Sequence, residues 1–194
     1  MDIKKFIDKH IHGTLSAVNY VKFYLADDVE NVSKELIQAF GSGNKLFICG
    51  NGGSAGDSQH MAAEMVVRLT MDRPALPAIA LTTDTSIITA TGNDFGYEKV
   101  FQRQVEALGN TDDVLLVIST SGNSKNLYWA VNKAHDLGMN TIGLLGNDGG
   151  DILQYLDHAI VVKGDNTQHI QEAHITIIHI LCEIVEKTLF GGWK

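Results

Sequence analysis

Residues 45–68, KLFICGNGGSAGDSQHMAAEMVVR, decide how the chain folds. Leu46, Phe47, Ile48 and Cys49 are a short apolar run stopped by Gly50, the pattern of a strand covered on both faces. Gly50, Gly52 and Gly53 let the backbone turn sharply and approach a ligand. Ser54 or Asp57 is expected to cap the helix that follows. Such a strand–turn–helix aims backbone N–H groups and a helix N-terminus at whatever sits above the sheet, which favours an anion. Within the helix, His60 and Glu64 are four residues apart and share one face. An imidazole and a carboxylate beside an anion-binding turn read as half of an active site.

The remaining sequence narrows the class. A chain of 194 residues fits one domain, with residues 1–43 as a helical extension and 44–194 as an α/β core. Its 44% hydrophobic and 20% charged residues are those of an ordinary globular protein. No apolar run approaches the roughly 18–20 residues of a membrane span, and MDIKKFIDKHIHG has no signal-peptide core. A cytoplasmic protein without membrane contact is expected. A net charge of −8 argues against nucleic-acid binding but leaves room for an anionic substrate in a local site. Cys49 and Cys182 sit in apolar segments and read as buried reduced thiols.

Working outward, apolar residues at helical spacing predict a helix over 3–25 and a second over 29–40, ended by Gly41-Ser42-Gly43-Asn44. Their spare apolar face either covers the sheet or packs on another subunit. Further strands are expected at 78–81, 114–118, 141–145 and 159–162. Thr82-Thr83-Asp84-Thr85-Ser86 opens a short helix, Gly92 to Gly96 reads as a loop, and helices follow over 97–108, 125–137 and 170–189. Strands alternating with helices give right-handed βαβ units, and so a three-layer α-β-α sandwich around a five-stranded parallel sheet. Ligands bind such sheets beyond the C-terminal strand ends.

The second signal lies at such an end. Ser119, Thr120, Ser121 and Ser124, with Gly122 among them, follow a strand and open a helix. Hydroxyls, free N–H groups and a helix dipole suit a phosphate monoester without any lysine. A single capping serine would explain a plain turn; four hydroxyl residues in six positions point to a ligand. Gly50-Asn51-Gly52-Gly53-Ser54-Ala55 also fits a dinucleotide fingerprint, but the acid required for the ribose is missing, since Asp84 lies too far along. The closing helix carries Gln171, Glu172, His174, His179 and Glu183. His179, inside Ile177-Ile178-His179-Ile180-Leu181, is expected to be buried. With His60 and Glu64 it is a candidate metal ligand or general acid. His10, His12, His135 and His158 read as helix-surface or loop residues.

Four blocks together, GNGGSAGDSQHMAAE, ATGNDFGYEKVF, ISTSGNSKN and IQEAHITIIHIL, resemble the phosphoheptose isomerases, a branch of the sugar isomerase (SIS) domain family with a flavodoxin-like sheet. The resemblance covers nearly the whole chain, although ISTSGNS alone marks only the wider family. It implies conversion of sedoheptulose 7-phosphate to D-glycero-D-manno-heptose 7-phosphate, the first step toward nucleotide-activated heptoses of bacterial lipopolysaccharide and other surface glycans. It also implies a homotetramer, packed through the N-terminal helices, with interfacial active sites and one Zn2+ per subunit. Position by position, it assigns the substrate to Asn51, Gly52, Gly53, Ser54, Asn93, Asp94, Ser119, Thr120, Ser121 and Ser124. It assigns the metal to His60, Glu64, Gln171 and His179, lets Glu64 and Gln171 also touch substrate, and gives Glu64 and His179 the base and acid roles. One departure is His169, where the family often has arginine.

Two non-catalytic classes share the fold. One is a scaffold that binds the replication initiator and lacks the glutamate and histidine matching Glu64 and His179; the other is a sugar-phosphate sensor. One geometric expectation is independent of the family. Gln171 and His179, eight residues apart, would be about 12 Å apart along a straight helix and roughly 80° apart around it. A single zinc with bonds near 2 Å hardly reaches both. Either one comes from a neighbouring subunit, or Gln171 precedes the regular helix.

Overall fold

A computed structural model describes residues 2–191. Strands β1 (Leu46–Gly50), β2 (Ala78–Ala80), β3 (Val114–Ser119), β4 (Asn140–Gly146) and β5 (His158–Val162) form one sheet in the order β2-β1-β3-β4-β5. All neighbouring strands run parallel, as continuous apolar runs require when helices cover both faces. Register fixes which side chains meet: Ile48 aligns with Leu116, and Leu116 with Ile142. These three point into one apolar layer, while Phe47, Cys49, Leu115 and Val117 point into the other.

The first layer lies under four helices: α1 (Ile3–Tyr24), α2 (Ala26–Gly41), α3 (Gly53–Val66) and α7 (Thr167–Phe190). The second lies under α5 (Gln102–Leu108) and α6 (Lys125–Asp136). Helix α4 (Thr85–Asp94) is peripheral and buries only Thr91. Both cysteines are free and buried, as expected, and burial pushes their thiols up, that of Cys182 to about 12.

Several boundaries differ from the sequence reading, each for a local reason. Gly92, Asn93 and Asp94 are not a loop but the last turn of α4, whose N-cap Asp84 accepts from the Ile87 amide. The helix expected over 97–108 is a 3-10 turn at Tyr97–Lys99 followed by α5. Helix α7 begins three residues before 170, because the Asn166 side chain caps it by accepting from the His169 amide. The cap of α3 is Gly52, with φ 57°; neither Ser54 nor Asp57 caps it, and both are buried within the helix. His158 is not a loop residue but opens β5.

Helices α1 and α2 answer part of the question their spare apolar faces raised. Val29, Val32 and Leu36 of α2 pack into the first layer, so this helix does cover the sheet. On α1, however, Ile3, Phe6, Ile7, Ile11 and Leu15 remain exposed in a single chain.

One buried group gives the fold a pH dependence. The Nε2–H of His174 donates to the Leu145 carbonyl at 3.0 Å, and Nδ1 has no partner. Burial pushes this imidazole down to about 4. The unfolded chain takes up the proton near pH 6.5, so between these values it binds more protons than the folded one. Stability therefore falls as pH drops through that window. Urea unfolding at pH 7 and pH 4 should differ by up to about 3 kcal/mol from this residue. In His174→Leu that part of the difference should vanish.

Candidate active site

Chain direction decides where a ligand fits. From β1 the connection runs outward to β2, whereas β3 lies on β1's other side and leads on to β4 and β5. The order reverses between β1 and β3, so their C-terminal ends open a crevice. Two loops flank it, residues 51–52 after β1 and 120–124 after β3.

The loops are tied to each other across the crevice. Asn51 and Asn126 exchange two amide hydrogen bonds, Asn51 Nδ2 donating to Asn126 Oδ1 at 2.9 Å and Asn126 Nδ2 to Asn51 Oδ1 at 2.8 Å. The Tyr97 hydroxyl also donates to Asn51 Oδ1 at 3.4 Å. Asn126 is buried at the start of α6, and sequence reading missed it. It closes the block ISTSGNSKN, but in that block only the hydroxyl residues carry a ligand signal. Tyr97 opens the 3-10 turn three residues after α4 ends, so its bond ties the segment beyond the helix bearing Asn93 and Asp94 to the first loop. Asn93 Nδ2 donates to Asp94 Oδ1 at 2.7 Å, and both residues are exposed.

In the serine loop, Ser119 Oγ accepts from the Gly122 amide at 3.0 Å and Ser121 Oγ from the Asn123 amide at 3.4 Å. Each hydroxyl so held keeps its proton free to donate. Ser124 is the N-cap of α6 but makes no side-chain cap bond, so its hydroxyl and the first N–H groups of α6 stay available to an anion. The loop after β4 braces this one from behind. Asn147 Nδ2 donates to the Thr120 carbonyl at 3.0 Å, and the Ile152 amide donates to the Gly122 carbonyl at 3.1 Å. Gly122 has φ 65°, and a Cβ there would overlap the Gly149 carbonyl.

Helices α3 and α7 pack side by side and run in the same direction. His60 Nε2 faces His179 Nε2 at 2.9 Å and Glu64 Oε1 at 3.4 Å. His179 is exposed, contrary to the expectation of burial. The core position is taken by His174, and five residues along a helix turn a side chain by roughly 140°. Gln171 lies inside the unbroken helix α7, so the expectation that it precedes the helix fails. Its amide rests on Gly53, where a Cβ would overlap it, and beside Asp57. Burial pushes the Asp57 carboxyl up against the opposing effects of Gln171 and His60, and Asp57 Oδ2 has no partner.

His60, Glu64 and His179 thus come together, while Gln171 stands two turns away with the glycine loop. Two imidazole nitrogens and a carboxylate oxygen are the donor types that zinc prefers. Among the described residues, no group of three or more His, Cys, Asp or Glu side chains is set as a ready-made metal centre. The 2.9 Å between the imidazole nitrogens would have to widen by a few tenths of an ångström to admit an ion.

Residues 11–146 match the SIS domain model, from the middle of α1 to the end of β4. Over 185 residues the chain is 52% identical to a phosphoheptose isomerase of Geotalea daltonii, covering 95% of this chain and 96% of that one. The chain belongs to the SIS domain family, within its phosphoheptose isomerase branch. It is 48% identical over 191 residues to the phosphoheptose isomerase of Clostridium acetobutylicum, covering 97% of each. The solved phosphoheptose isomerase of Francisella tularensis superposes with a TM-score of 0.93 at 39% identity, over 96% of this chain and all of that one. That of Neisseria gonorrhoeae gives 0.90 at 41% identity, over 95% and 99%. The domain model stops before α7, so Gln171 and His179 lie outside what it matches, whereas the similarity to these relatives spans nearly the whole chain.

The bracing of the serine loop predicts a specific defect. Gly122→Ala should displace the loop from its brace and weaken sugar-phosphate binding. Steady-state kinetics should show KM raised by roughly tenfold or more, about 1.4 kcal/mol, with kcat within a few-fold of wild type.

Proposed function

We propose that this protein is a phosphoheptose isomerase that converts sedoheptulose 7-phosphate to D-glycero-D-manno-heptose 7-phosphate. The observation that carries the reading is the meeting of Glu64 with His60 and His179 on α3 and α7, in a chain about half identical to phosphoheptose isomerases over nearly its full length. The serine loop of residues 119–124 takes the phosphate by its hydroxyls and the N-terminus of α6. Asn51, Gly52, Gly53 and Ser54, with Asn93 and Asp94, surround the sugar hydroxyls. Gln171, lying on Gly53, offers its amide to the same end of the substrate.

The reaction moves protons between neighbouring carbons and oxygens. The Glu64 carboxylate removes a proton from C1 of the ketose, and the C–H electrons form the C1=C2 bond of an enediol. His179 gives a proton to O2 as the carbonyl is lost. Glu64 then returns its proton to C2 while His179 takes the proton from O1, leaving the C1 aldehyde. No atom is gained or lost, and both residues end as they began. Zinc held by His60, Glu64 and His179, with Gln171 reaching it from a neighbouring subunit, would polarise the substrate oxygens.

A homotetramer with interfacial sites is part of this reading. The exposed apolar stripe on α1 supports it. So does a groove of about 490 Å³ whose lining includes Val29, Ile37, Ile180 and Ile184 of α2 and α7. The side chain of His60 is 43% exposed in one chain, as a site completed by a second subunit would be. The product would feed bacterial surface glycans such as lipopolysaccharide from the cytoplasm. No helix among the described residues is long and apolar enough to cross a membrane.

The test is turnover of sedoheptulose 7-phosphate by the purified protein, as isolated, after chelation, and after zinc is restored. Aldose product that disappears on chelation and returns with zinc is expected. Glu64→Gln should lower kcat by about 10²–10⁴-fold while KM changes little. An intact protein that gives no product under any condition would replace this reading with the scaffold or sensor.

A further inference from the structure

One buried ion pair lies at the end of α3 and α7 away from the serine loop. Arg73 Nε donates to Glu186 Oε2 at 2.9 Å, with the two side chains 1% and 0% exposed. The same guanidinium reaches the end of α3, Nη2 donating to the Glu64 carbonyl at 2.8 Å and Nη1 to the Met65 carbonyl at 2.9 Å. Helix α3 has no basic residue in its last turn, so Arg73 supplies both the missing donors and the positive charge that a helix C-terminus favours. Glu186 is held in turn by the backbone N–H groups of Leu69, Thr70 and Met71 and by the Thr70 hydroxyl at 2.6–3.0 Å. Burial raises its carboxyl, but these bonds outweigh burial and bring it down to about 2. The pair is therefore charged at any pH where the protein works.

The consequence concerns chemistry more than folding. Glu186 is on the helix that carries His179, and Arg73 holds the carbonyl of Glu64 itself. We infer that Arg73 and Glu186 form a positioning clamp, which fixes the last turn of α3 against α7 and so sets the Glu64 carboxylate relative to His60 and His179. This rests on the isomerase reading for what Glu64 does, but the placement can be measured without it. A lysine at 73 would keep the charge and fill the space. It would lack the planar fork that reaches one carboxylate and two carbonyls together.

The experiment compares wild type, Arg73→Lys and Arg73→Met by circular dichroism and thermal melting, then by kcat and KM for sedoheptulose 7-phosphate, and separately by zinc titration calorimetry. For folded Arg73→Lys the expected result is a kcat lower by about a hundredfold, the cost of misplacing a catalytic group by about an ångström. KM should stay within about threefold, because the phosphate loop is far from the clamp, and zinc affinity should weaken by about tenfold. Where Arg73→Met does not fold, Arg73→Lys decides. A lowered melting temperature with wild-type kcat and zinc affinity would overturn the proposal and leave the pair a structural one. A wild-type protein that turns over no substrate would instead remove the isomerase reading, and zinc titration of the variants would still judge the clamp.

Discussion

The packing of α3 against α7 is the constraint on which the site depends. Neither helix alone holds a constellation: α3 brings His60 and Glu64, and α7 brings His179. They run side by side because both cover the same face of the sheet, with Met61 and Met65 of α3 and Ile177, Ile178 and Leu181 of α7 in one apolar layer. At one end of the contact Gln171 rests on Gly53, where no side chain intervenes. At the other end Arg73 and Glu186 close it with a buried charge pair. His60, Glu64 and His179 lie between, on the rim where the two helices face outward.

The sheet supplies the second half of the arrangement. The strand order changes direction at β1 and β3, so the glycine turn and the serine loop stand on either side of one crevice. The amide pair between Asn51 and Asn126 spans that crevice and fixes the spacing of the loops. In the proposed reaction, phosphate binding and proton transfer therefore belong to different parts of the framework. The serine loop is braced by the loop after β4, whereas Glu64 and His179 are held by helix packing. A defect in one half should therefore appear in KM and a defect in the other in kcat.

Much of this was legible in the sequence, where local chemistry repeats itself. Five apolar runs gave five strands, and the hydroxyls crowded after β3 stand beside the crevice where the strand order reverses. What stayed hidden depended on partners far away in the chain. His179 looked buried within an apolar run, and only the rotation of α7 shows that His174 takes that place. Asn126 pairs with a residue 75 positions away and Arg73 with one 113 away, distances that no motif encodes. At the end of α4, Gly92, Asn93 and Asp94 are turn residues by composition, yet the helix runs through them and closes with the Phe95 amide on the Thr91 carbonyl.

In the proposed reaction Glu64 carries a proton between C1 and C2. The most direct measurement is isomerisation in heavy water, followed by NMR of sugar and product. Because the protonated Glu64 carboxyl exchanges with solvent while the enediol is held, the account predicts deuterium at C2 of the aldose with wild-type protein. With Glu64→Gln it predicts neither that label nor exchange at C1, while the substrate still binds. Isomerisation or C1 exchange at the wild-type rate in Glu64→Gln would contradict the account, because another group would then be moving the proton.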